Sequence, residues 1–216
     1  AEVAEKWLSE KRGNKVYINV PKIGEQAQLV QMCKNNASET LAQLKGRTSR
    51  EYTVLEDLKN LLGLDKIPEY IESYDISNTN GVDTVGAMVV FGNLKPIKKA
   101  YRRFKIKTVE GPDDFASMKE VLTRRYTRLM TEGEELPQLV IVDGGKGQLS
   151  AAVEAFTEMG IRGKVALVGI AKRLEEIYFP GDSVPLYIDK NSESLRVVQR
   201  MRDEAHRFGI THHRNR

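Results

Sequence analysis

The run Leu139-Val140-Ile141-Val142 is apolar at every position and passes at once into Asp143-Gly144-Gly145. A strand without alternation must be covered on both faces, which is the habit of parallel strands buried between helices. Val165 to Ile170 has the same texture and predicts a second buried strand. The chain is therefore expected to build an α/β sheet with helices packed on its faces.

The remaining elements follow from pattern and punctuation. Residues 1–12 form a charged lead, read as the tail of an upstream helix. Lys15–Val20 reads as a strand stopped by Pro21, and residues 25–44 as a helix ended by Gly46. Thr48-Ser49-Arg50-Glu51 has the form of a capping box, followed by a helical stripe of Leu55, Leu58, Leu61 and Leu62. Tyr70–Ile76, Thr84–Phe91 and Pro96–Ile106 predict a three-stranded antiparallel meander with Gly92-Asn93 as a turn. Pro112 opens a helix through about Met130. After the first buried strand come a helix over 147–159, the second buried strand and a small hairpin around Pro180-Gly181-Asp182. A last helix covers 192–208. From residue 70 the order β-β-β-α-β-α-β-hairpin-α predicts a mixed sheet, three antiparallel strands then parallel ones, flanked by helices. Residues 1–66 are expected to pack on the domain formed by 67–216, since no flexible linker separates them.

Apolar residues at 40% and charged residues at 30% describe a soluble globular chain, and no run approaches the ~18 apolar residues of a membrane helix. Nothing at the N-terminus has the form of a signal peptide, and Thr211–Arg216 reads as a cut inside a longer protein. The single cysteine, Cys33, rules out an internal disulfide and cysteine-based zinc. A reducing cytoplasm fits, with Cys33 as a small core residue of its helix. The net charge of +4 tilts only modestly toward polyanions, but its distribution says more. Lys95, Lys98, Lys99, Arg102, Arg103, Lys105 and Lys107 crowd one segment, and Arg124, Arg125 and Arg128 follow on the next helix.

Three segments carry possible chemistry. Asp75 lies near the end of the predicted strand Tyr70–Ile76, where a carboxylate is costly unless paired or metal-bound, although an Asp opening a turn with Ser77, Asn78, Asn80 and Gly81 is the more ordinary reading of this segment alone. Asp143 ends a buried strand, the edge at which α/β sheets collect ligands, and the following glycines leave amides able to face an anion. A plain strand-to-helix turn explains the same residues. The spacing needed for a phosphate-binding loop of nucleotide enzymes is missing. If the first and fourth strands are neighbours, Asp75 and Asp143 lie about one strand spacing apart, roughly 4.8 Å. Two carboxylates that close repel, and a divalent cation resolves the conflict. His206, beside the apolar stripe of the last helix, is by itself an edge residue. Lys146 and Arg202 are candidates for neutralising phosphates, or simply surface charges. Glu175 and Glu176 follow the second buried strand and offer a further acidic point.

Taken together, Tyr-Asp-Ile-Ser-Asn-Thr-Asn-Gly (74–81), Gly-Ala-Met-Val-Val-Phe (86–91), Tyr-Arg-Arg-Phe (101–104), Ile-Val-Asp-Gly-Gly-Lys-Gly-Gln (141–148), Gly-Ile-Ala-Lys (169–172) and Arg-Asp-Glu-Ala-His-Arg-Phe (202–208) resemble, in order, the C-terminal half of the UvrC family. That family supplies the incision subunit of bacterial nucleotide excision repair. The resemblance covers about residues 67–213. It implies a ribonuclease H-like endonuclease domain that cuts damaged double-stranded DNA 5′ of the lesion, in complex with UvrB. It also implies Asp75, Asp143 and His206 as the catalytic group, with Mg²⁺ or Mn²⁺ bound by the two aspartates and His206 as a further ligand or a water-orienting base. Many relatives have an aspartate after Gly-x-Ala-Lys, where the nearest acids here are Glu175 and Glu176, with Glu175 favoured. The family's N-terminal nuclease, its UvrB-contacting segment and its helix-hairpin-helix module have no counterpart in these motifs.

The expected reaction is in-line attack of a metal-activated water on a phosphodiester. A non-catalytic nucleic-acid-binding module of the same fold is the alternative, and a ribonuclease or transposase-like enzyme a third reading. Only an enzyme requires metal binding that depends on Asp75.

Overall fold

In the computed structural model, which describes residues 2–44, 49–79, 83–171, 176–189 and 191–211, the chain divides into two units, Ala1–Ser49 and Arg50–Arg216. The first contains α1 (Glu2–Arg12), an irregular segment and α2 (Glu25–Leu44). The strand expected over Lys15–Val20 does not form. The amides of Val16 and Ile18 donate to Ser9 Oγ (2.9 Å) and Glu5 Oε1 (2.7 Å) on α1, so the segment is bonded to helix side chains instead of a neighbouring strand. Cys33, expected in a core, is exposed. No described residue of α2 is buried, and its apolar Leu29 and Met32 are also exposed.

The second unit begins in α3 (Ser49–Leu61), which buries Leu55 and Leu58 of the expected stripe together with Val54, while Leu62 is buried just past its end and Leu61 is half-buried. Its sheet contains β1 (Tyr70–Thr79), β2 (Asp83–Gly92), β3 (Lys95–Pro96), β4 (Arg102–Lys105), β5 (Leu139–Asp143), β6 (Ala166–Ile170), β7 (Glu176–Tyr178) and β8 (Leu186–Tyr187). The order is β3-β2-β1-β5-β6-β7-β8, with β4 also pairing β2. The pairs β1–β5 and β5–β6 are parallel, and the flanking pairs antiparallel. This is the expected mixed sheet. Its helices are α4 (Asp114–Glu132), α5 (Lys146–Glu158) and α6 (Glu193–Thr211). No helix among the described residues is long and apolar enough to cross a membrane.

The predicted third strand is broken in two. Phe91 pairs with Pro96, which in an unbroken register would set Lys99 opposite Met88, yet Met88 pairs with Arg102. The 3-10 turn Lys98–Ala100 absorbs the three extra residues and aims Tyr101 and Arg103 anew.

The two faces of the sheet differ in chemistry because strand side chains alternate. Gly86 of β2 faces α4, where a β-carbon would meet Val121 at 2.5 Å. Its neighbour Ala87 faces α6, near Gly209. On the α4 face, fully buried Glu72 accepts from Arg125 Nη2 (2.8 Å), Tyr74 Oη (2.6 Å) and Tyr126 Oη (2.7 Å). Burial, and then the Glu72 charge, push the Tyr74 phenol well above its usual range. The Arg125 guanidinium sits beside that carboxylate and is held protonated despite its own burial. This network pins β1 to α4 and fixes the strand whose other face carries Asp75.

Candidate metal centre

Asp75 and Asp143 meet because β1 and β5 are parallel neighbours. The pairing of Ile71 with Leu139 runs to Tyr74 with Val142, so the next positions, Asp75 and Asp143, face the same end of the sheet. β5 ends there, while β1 continues to Thr79 against β2. Asp75 is therefore interior to its strand and not at its end. Both carboxylates are buried, at 3% and 6% exposure.

His206 joins them from α6, across 131 residues of chain. Its Nδ1 lies 3.1 Å from Asp75 Oδ2, and its side chain is 45% exposed. With an ionised carboxylate as acceptor the donor would be Nδ1, which in a neutral ring leaves the lone pair on Nε2. Asp75 Oδ2 also accepts from Ser77 Oγ at 2.6 Å. One ligand atom from each of Asp75, Asp143 and His206 lies within 4.8 Å of the others. At that separation two carboxylates repel by roughly 3 kcal/mol at an effective dielectric of 20. The donor set fits a hard divalent cation, since paired carboxylates suit Mg²⁺ or Mn²⁺.

Ser77 and Gly209 contribute to the site without being predicted for it. Ser77 has a signal, because it follows Asp75 by two and must share its strand face. Gly209 has a fainter one, a glycine inside a helix where it costs about 1 kcal/mol relative to alanine. A β-carbon at Gly209 would meet Ser77 Oγ at 2.7 Å and Asp75 Oδ2 at 3.4 Å, so its absence lets α6 lie against β1 at the carboxylate.

The other candidates lie differently. The Lys146 ammonium donates to the Ser183 carbonyl, at 2.5 Å, and so faces the β7–β8 connection. Arg202, one turn before His206, is largely buried, with Nε and Nη2 on Asp203 Oδ1 (3.0 and 2.7 Å). The Gly144 amide, expected to be open to an anion, donates to the Ile170 carbonyl at 2.8 Å. Glu175 lies outside the described residues. Glu176 is buried in β7 and accepts from Tyr178 and Tyr187.

The chain matches a family model described as the UvrC RNase H endonuclease domain over residues 59–210, and one described as the UvrC ribonuclease H-like domain over residues 1–44. It is 53% identical over 210 residues to the UvrABC system protein C of Christiangramia forsetii, covering 94% of this chain and 35% of that protein. The protein of the same name from Flavobacterium johnsoniae is 50% identical over the same extents. The chain thus spans about a third of the length of the curated relatives it matches. Among solved structures, human ENDOV aligns with a TM-score of 0.45 at 14% identity, over 77% of this chain and 98% of that one. The mixed sheet lies wholly within residues 59–210, the part matched by the RNase H endonuclease domain model. With most of its length matched by that model and half its residues shared with those relatives, the chain belongs to the UvrC RNase H endonuclease domain family.

Proposed function

We propose that the chain is a metal-dependent endonuclease that hydrolyses a DNA phosphodiester, making the 5′ incision of bacterial nucleotide excision repair on damaged duplex DNA, in the cytoplasm and together with UvrB. Residues 67–216 carry the chemistry in this reading. The observation that carries it is the convergence of Asp75, Asp143 and His206 from three separate elements within 4.8 Å. Asp75 and Asp143 would hold Mg²⁺ or Mn²⁺, which when bound would supply positive charge for the phosphate oxygens and acidify a water. His206, oriented through Nδ1 by Asp75, presents Nε2 as a ligand or as the base that takes the water's proton. Arg202 and Lys146 add positive charge near the scissile phosphate once DNA is seated, which requires Lys146 to leave Ser183 and Arg202 to leave Asp203. Glu175 is the remaining acidic candidate.

The test is nicking of damaged duplex by the full-length protein carrying Asp143→Ala, with UvrB and Mg²⁺ present. A 5′ cut slowed about a hundred- to a thousandfold, with the 3′ cut intact, is expected on the scale of losses for removed electrostatic stabilisers. A 5′ cut at the normal rate overturns the reading. Mn²⁺ binding that disappears in Asp75→Asn separates the enzyme from a binding module of the same fold.

A further inference from the structure

His206 is half exposed, so its ring direction depends on how α6 is held. On a helix successive residues turn by about 100°, which puts His206 and Phe208 on opposite flanks of the buried seam formed by Ala205 and Gly209. Gly209 brings the seam against β1 beside the carboxylate of Asp75. The Phe208 flank is gripped by β4 and its lead. Arg103 donates from Nε and Nη2 to the Phe208 carbonyl, at 3.2 and 2.8 Å, and its guanidinium lies 3.9 Å from the Phe208 ring centroid. Tyr101 meets the same ring edge-on, with centroids 5.1 Å apart, and its hydroxyl donates to Glu204 Oε1 at 3.1 Å.

We propose that Arg103 is a positioning residue that, with Tyr101, sets the roll of α6 and thereby holds His206 on Asp75. This rests on the metal-site reading above, with His206 as a ligand of the cation through Nε2. A side chain ends about 5–6 Å from its helix axis, so a roll of about 10° displaces the imidazole by about 1 Å. Displacements of that size cost on the order of 100-fold where catalytic groups must align. Arg103 acts from the basic segment 95–107, whose charge by itself suggests contact with DNA, and its guanidinium is committed to the helix that carries His206.

The experiment is a double-mutant cycle on Mn²⁺ affinity, read by electron paramagnetic resonance of the free ion without DNA. It compares the unsubstituted chain, Arg103→Gln, His206→Ala and the pair. Arg103→Gln is expected to weaken Mn²⁺ binding about 5- to 10-fold and, on the His206→Ala background, less than twofold, because it acts through the imidazole. Arg103→Lys keeps a donor for the carbonyl and is expected to recover part of the loss. Its thermal melting, with that of the other variants, identifies any general loss of fold. An unchanged affinity in Arg103→Gln, or a full loss that persists without His206, overturns the inference while leaving the metal site standing. Weaker duplex binding with unchanged Mn²⁺ affinity makes Arg103 a phosphate contact and overturns it too. Absence of Mn²⁺ binding by the unsubstituted chain removes the metal reading and this inference with it.

Discussion

Gly209 of α6 and Ser77 of β1 touch so closely that a single β-carbon on Gly209 would stand 2.7 Å from the Ser77 hydroxyl oxygen. The same hydroxyl donates to Asp75 Oδ2. Alanine at 209 gains helix propensity of about 1 kcal/mol but forces Ser77 to rotate off the carboxylate. Gly209→Ala is therefore expected to melt within about 1 kcal/mol of the parent while binding Mn²⁺ several-fold more weakly. Gly209→Leu overpacks the seam and is expected to lose about 1–3 kcal/mol. Chemical denaturation and Mn²⁺ titration of the two variants separate these effects. Ser77→Ala should reproduce the weaker binding without the steric cost.

Asp75 and Asp143 bring two buried carboxylates within 4.8 Å of one another, and a divalent cation between them relieves their repulsion. A divalent ion at 100 times its dissociation constant is expected to stabilise the chain by about 2.7 kcal/mol, read as a rise in melting temperature that a chelator reverses. Asp143→Asn removes one charge of the pair. It is expected to lose the stabilising response to Mn²⁺. A variant that still gains stability from Mn²⁺ would place the ion elsewhere.

The strands were legible where covering on both faces leaves a continuous apolar run, as at Leu139–Val142, and the helices where Gly and Pro mark their ends. The break between β3 and β4 was not, because Pro96–Ile106 keeps enough apolar alternation to pass for one strand. Nor was the failure at Lys15–Val20, where strand-forming residues lose their partners to Glu5 and Ser9. Asp75 and Asp143 could be suspected from cost alone, since a carboxylate beside a buried strand demands a reason. His206 could not, because an imidazole among arginines on a helix edge looks like solvent-facing charge. Its meeting with Asp75 depends on α6 lying against β1, a tertiary fact set by Gly209. The family motifs carried His206 where local physics did not.

On the far face of β1, Arg125 and Glu72 form a buried pair within a larger network, and such pairs are costly to break from one side. Arg125→Met leaves the Glu72 carboxylate fully buried without its cation, and a loss of about 3–5 kcal/mol is expected. Since the network anchors the strand that carries Asp75, the same variant should also weaken Mn²⁺ binding. Denaturant midpoints for Arg125→Met, beside Arg125→Met/Glu72→Met, provide the check. The double variant is expected to recover much of the stability, because neither charge then remains buried alone.

Tyr74 and Tyr126 end in the same carboxylate, and both phenols are raised well above their ordinary value. Burial is the main cause for each. The Glu72 charge adds to it for Tyr74, and the neighbouring Tyr74 and then Glu72 for Tyr126. In the unfolded chain both release their protons near pH 10. A group whose folded value lies higher lends stability that is complete below about pH 10 and drains away as pH rises toward the folded value, because only the unfolded state gains by losing the proton. The chain is thus expected to be stable against mild alkali and then to unfold steeply above pH 10. Tyrosinate absorbance at these two positions should appear together with the loss of far-ultraviolet dichroism. Tyr126→Phe removes one of the two groups and should make that alkaline transition shallower. Ionisation of Tyr74 in a chain that is still folded would show that the Glu72 network is open to solvent.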